Sequence, residues 1–223
     1  MDEAIILNPV ESRVLGSLVE KAVTTPDYYP LTLNSLTLAC NQLTNRDPVV
    51  SLDESTVVRA LDSLRDKRLA SQFNGADSRV AKYKHGLTDV LSLTPAEVAL
   101  VCVLLLRGPQ TLAELRTRTE RFNAFASVAE VEEILSALAT RESAPLVVKL
   151  PRAPGTKEPR YAHLLSGPIA LDPAEHAPRA EPATIAVRLE NERITSLEAE
   201  TAALRAELAS LQRQFAEFRK QFE

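Results

Sequence analysis

The sequence predicts a mainly helical α+β fold in which one supersecondary unit is used twice and a long helix follows. Three observations predict it. Between Ser51 and Gly86 a capped amphipathic helix pattern gives way to two short extended runs split by a turn. The same succession of signals returns between Thr94 and Leu165. Beyond Pro182, apolar residues recur every three and four positions. Periods near 3.6 mark helices, and short extended runs split by turn residues mark hairpins.

In chain order, Asn8-Pro9-Val10-Glu11 announces the first helix with a cap, a proline at the first helical position and an acid at the third. Val14, Leu15, Leu18, Val19 and Ala22 form its inner face, and Thr24-Thr25-Pro26 ends it. Tyr29-Pro30-Leu31 reads as a short extended segment. Thr32 then caps a second helix with Leu33, Leu36, Cys40 and Leu43 inward. Ser51 and Glu54 make a capping box for a third helix, whose buried stripe is Val57, Val58, Leu61 and Leu64. Ala70–Phe73 and Val80–His85, joined through Asn74-Gly75-Ala76-Asp77, form a hairpin.

Helix, strand, helix, helix and hairpin is the order of a winged helix-turn-helix. Thr94–Glu97, Thr111–Glu114 and Ser127–Glu130 repeat the three helix starts, and Leu146–Leu150 with Arg160–Leu165 repeats the hairpin. The reading is therefore two tandem winged helix-turn-helix domains, residues 1–87 and 88–167. A Pro-rich linker (168–183) and a C-terminal coiled-coil helix (184–223) follow. Helix 95–107 is apolar nearly all round from Val98 to Leu106, which places it between the two domains or across a dimer interface.

The tail carries a heptad seam of Ile194, Leu197, Thr201, Leu204, Leu208, Leu211, Phe215, Phe218 and Phe222. In a parallel dimer the flanking pairs Arg193–Glu198 and Glu200–Arg205 attract, so a homodimer is consistent. The three phenylalanines are bulky for two strands and leave a trimer, an antiparallel pair or a partner protein open.

The chain holds 26 basic and 30 acidic residues, which excludes strong non-specific nucleic-acid binding through net charge alone. The deficit sits mostly in the tail: residues 1–87 hold 10 basic and 11 acidic side chains, and 168–223 hold 7 and 10. Cys40 and Cys102 lie in apolar helix patterns and read as buried thiols. No spacing suits a disulfide framework or a zinc site. Met1-Asp2-Glu3-Ala4 lacks the basic start of a signal peptide, and Val98–Leu106 is far short of the roughly 20 residues that span a bilayer. The expectation is a cytoplasmic protein that meets no membrane.

Placing Val57, Leu61 and Leu64 inward turns Ser55, Thr56 and Arg59 outward, a small polar face around an arginine suited to base edges. The hairpin adds Arg79, Lys82 and Lys84 as phosphate contacts, or as lysines that merely guard a strand edge. Asn41, Gln42, Asn45 and Arg46 form either a polar recognition surface or a turn that satisfies its own backbone. The third helix of the second domain turns Glu132 and Glu133 outward, which phosphate would repel. Arg116, Arg118 and Arg121 read as a solvated face.

An enzyme needs a site, and no phosphate-cradling loop or nucleophile pair is present; His85 and His163 end equivalent positions in the two hairpins and read as strand-end residues. No cofactor or metal is expected. Two functions follow. One is a duplex-DNA-binding, transcription-regulator-like protein dimerised by its coil. The other is a non-catalytic assembly module that uses tandem winged helices to hold a protein partner.

The motifs also carry a resemblance. Leu18–Pro26, Tyr29-Pro30-Leu31, Ala39–Val49, Ala96–Leu100, Leu104–Thr111, Glu114–Arg118 and Arg152–Leu164 are similar to the YceH-like family of bacterial proteins. The likeness spans residues 5–167. It implies the tandem winged-helix fold and names no ligand, catalytic residue or target.

Overall fold

The computed structural model describes residues 5–73, 80–152, 156, 158–169 and 201. The chain divides into two compact units, Met1–Arg179 and Ala180–Glu223. The tail seam and Arg79 lie outside the described residues, Thr201 excepted. The first unit is α+β, as its patterning predicts.

Helix α1 (Pro9–Thr24) carries the full capping box: the Asn8 carboxamide accepts from Glu11 N and the Glu11 carboxylate accepts from Asn8 N. A 3₁₀ turn, Pro26–Tyr28, leads to strand β1 (Leu31–Thr32) and helix α2 (Leu33–Cys40). Because α2 stops at Cys40, Leu43 is not part of its inner face and is 68% exposed, a correction to the expected stripe. Helix α3 (Glu54–Asp66) is capped by Asp53, whose carboxylate accepts from Thr56 N at 2.8 Å. The helix thus follows a single cap at Asp53 and not the expected box of Ser51 and Glu54.

Strands β2 (Ala70–Phe73) and β3 (Lys82–His85) complete a three-stranded sheet in the order β1–β3–β2. The short helix α4 (Leu87–Leu91) links to the second copy. Helices α5 (Pro95–Arg107) and α6 (Leu112–Thr119) open on complete capping boxes at Thr94 and Thr111. Helix α7 (Val128–Ala139) is capped by Ser127. Strands β4 (Val147–Lys149) and β5 (Tyr161–His163) pair antiparallel, and Gln110 bridges to Tyr161 on the far side of β5.

The two sheets share one register. Leu31 opposes Tyr83 as Gln110 opposes Tyr161, and Ala70 opposes His85 as Val147 opposes His163. Thr32, opposite Lys82, therefore corresponds to Thr111, and Lys82 to Arg160.

One core runs through both copies. Every residue of α1 from Glu11 to Glu20 is buried, because α2 and α3 pack on one side of it and α5 on another. Gly16 permits the close approach: a methyl group there would sit 2.9 Å from Leu106 side-chain carbons. Helix α5 is buried from Val98 to Leu106 within this one chain. Cys40 and Cys102 are both free and buried, and burial pushes both thiols up.

Candidate nucleic-acid interface

Helix α3 places its outward residues as its period requires. Val57, Ala60, Leu61 and Leu64 are buried, while Ser55 and Arg59 are exposed and Thr56 half-buried. Local bonds organise them. The Ser55 hydroxyl donates to Asp53 at 3.1 Å, and Arg59 Nη2 donates to Thr56 Oγ1 at 2.9 Å. Hydrogen bonds from Thr56 and then Ser55, with Arg59 nearby, hold the Asp53 carboxyl below its usual range. The outward face of α3 is therefore a prearranged cluster of one acid, two hydroxyls and one arginine.

Strand β3 aims Lys82 and Lys84 away from the core, on the face opposite Tyr83. Neither makes an ion pair among the described residues, in contrast to two cations of the same copy. Arg65 meets Asp62 at 3.2 Å and Lys67 meets Glu11 at 2.6 Å. In the second copy, Lys149 meets Glu132 at 3.2 Å and Arg160 meets Glu114 at 2.9 Å.

The cause of this difference lies in α2 and α6. Each helix starts at a threonine cap, Thr32 or Thr111, that faces the cation of the neighbouring strand. Three residues on, α6 has Glu114, which reaches Arg160. The same place in α2 is Ser35, which bonds to Thr32. Among the described residues Lys82 consequently meets no carboxylate. The pair Ser35/Glu114 was open to view in the sequence repeat, but its meaning needed the register.

Arg46 leaves the candidate surface. It is 0% exposed, Nη2 lies 2.5 Å from Glu20 Oε2, and the guanidinium also donates to Ala39 O, Asn45 O and Gln42. Asn41 caps the neighbouring loop by bonding both N and O of Leu52. The polar turn is structural. Arg121, from the second copy, meets the other oxygen of Glu20 at 3.4 Å, so the buried acid is shared between copies. Arg116 is spent on the carbonyls of Phe125 and Ala126.

No group of three or more metal-ligating side chains gathers among the described residues, and none of their helices is long and apolar enough to cross a membrane. The cleft between α3 and β2 is open and lined by Asp62 and Asp66 against Arg65 and Arg68. Its charges cancel, and it lacks the apolar wall of a small-molecule site. His85 and His163 each bury an unpartnered Nδ1. Burial lowers both, His163 to about 4, and Asp89 opposes the shift at His85.

A family model described as "Protein of unknown function, DUF480" matches residues 7–156. A UPF0502 protein of Geobacter sulfurreducens is 57% identical over 201 residues, covering 90% of each chain. One of Opitutus terrae is 54% identical over 187 residues, 84% of this chain and 81% of the relative. One of Vibrio vulnificus is 50% identical over 202 residues, 89% and 91% of the two chains. With a family model over more than half its length and relatives above half identity across most of it, the chain belongs to the UPF0502 (DUF480) family.

Proposed function

We propose that residues 5–167 are two winged helix-turn-helix modules and that the first of them binds duplex DNA. In this reading Ser55, Thr56 and Arg59 meet base edges while Lys82, Lys84 and Arg79 meet phosphates. The protein is cytoplasmic, non-catalytic and dimerised by its C-terminal coil. The common sheet order and register of the two copies support the module assignment. The observation that carries the binding assignment is Lys82, which has no ion-pair partner among the described residues, set against an equivalent Arg160 that Glu114 neutralises. A cation without an internal partner is available to phosphate.

A second reading is favoured by α7, where Glu132 accepts from Lys149 and Tyr161 and Glu133 is exposed. That face suits a protein partner rather than DNA, so the second module serves assembly.

Fluorescence anisotropy of the full-length protein against duplex fragments, across a salt series, tests the first reading. Each phosphate contact contributes about one unit of slope in log affinity against log salt. Replacing Lys82 and Lys84 by Ala lowers the slope by about two, and Arg59→Ala weakens binding while relaxing base preference. Ser35→Glu, which supplies the missing carboxylate, lowers the slope by about one. Absence of binding at low salt overturns the duplex reading.

A further inference from the structure

The register sorts the first sheet into two faces. Leu31, Ala70, Tyr83 and His85 lie on the inner one. The outer one presents Ser71 opposite Lys84 and Phe73 opposite Lys82, with Thr32 on the far side of Lys82. Phe73 is 44% exposed. A large aromatic ring thus stands open on a strand, directly across from Lys82 and diagonal to Lys84, neither of which is ion-paired among the described residues. Cross-strand neighbours on one face lie within side-chain reach of each other.

The second copy shows what this position does when it is structural. Leu150 N donates to Arg160 O, so Leu150 corresponds to Phe73; Ala162 corresponds to Lys84 and Val148 to Ser71. Leu150 is 4% exposed and Ala162 is 2% exposed. The equivalent face is therefore largely covered in the second copy, where its one cation, Arg160, is paired with Glu114, and open, aromatic and basic in the first. Packing accounts for Leu150 and does not account for Phe73.

We propose that the outer face of the first sheet binds single-stranded nucleic acid, with a base stacked on Phe73 and the flanking phosphates held by Lys82 and Lys84. The two lysines are two residues apart on one strand, about 7 Å along the chain, so they can serve neighbouring phosphates. Stacking on an aromatic tolerates any base, and the lysines supply the salt-dependent remainder. This inference shares the lysines with the duplex reading and departs from it at Phe73, which duplex DNA with its bases stacked inside cannot engage.

The test is anisotropy of the full-length protein with a fluorescein-labelled oligothymidylate of about 15 nucleotides, and in parallel with a duplex of equal length. Stacking of one base on one ring makes Phe73→Ala bind the single strand on the order of 10-fold more weakly. Phe73→Trp restores it, and polyphosphate, which has charge but no bases, competes equally with wild type and Phe73→Ala. Thermal unfolding of each variant verifies the fold. Single-strand affinity unaltered by Phe73→Ala, or no single-strand binding at low salt, overturns the proposal. Duplex binding lost while oligothymidylate binding persists sinks the duplex reading alone.

Discussion

Glu20 is held from two directions, by Arg46 inside the core and by Arg121 at its margin. A buried arginine deprived of its carboxylate keeps its desolvation penalty and loses its compensation. Glu20→Ala therefore costs about 3–5 kcal/mol in urea unfolding, whereas Arg121→Ala, whose side chain is 56% exposed, costs about 1 kcal/mol or less. Equal effects of the two substitutions would contradict this account. The histidines make a second residue-scale prediction. Folding keeps His163 neutral down to about 4, against 6.5 for the free side chain, and lowers His85 in the same sense. The unfolded chain thus binds more protons between those values. Stability is fully present above about pH 6.5 and is lost as pH falls toward 4. His163→Gln flattens that part of the melting-temperature profile relative to wild type; an unchanged profile would mean His163 does not titrate on unfolding.

At the scale of elements, α1 is the surprise. Its apolar stripe reads as one inner face, yet α5 takes a second face, and Gly16 marks the crossing. Gly16→Ala pushes a methyl group into Leu106 and costs about 1–3 kcal/mol, against a helix-propensity gain of about 1 kcal/mol. Calorimetry showing net stabilisation would mean that the two helices part freely. Helix starts at Asn8, Thr94 and Thr111 were legible because a capping box involves four consecutive residues. Asp53 was missed in favour of Ser51 because both are cap formers within three residues of each other, and only the backbone decides which one the helix follows.

For the whole molecule, Leu7 N donates to Leu165 O, Asp47 N donates to Leu106 O, and one core spans both copies. The two modules of the proposed function therefore present their faces at fixed separation. The proposed coil rests on the heptads alone, with its seam at Ile194, Leu197, Leu204, Leu208, Leu211, Phe215 and Phe218 outside the described residues. Under the proposed dimerisation by this coil, ending the chain after Gly167 lowers the mass measured by light scattering to that of a monomer; an unchanged mass would overturn that proposal.

By itself the sequence determined the order of elements, their caps other than that of α3, the repeat and the outward turn of Ser55 and Arg59, because each rests on residues within a few positions of one another. Tertiary structure decided the burial of Arg46, the double-sided packing of α1, and the contrast between Lys82 and Arg160. These rest on contacts between residues 26 to 101 positions apart, Arg46 to Glu20 and Arg121 to Glu20 at the extremes. Local propensity carries no information about which distant carboxylate a cation will meet.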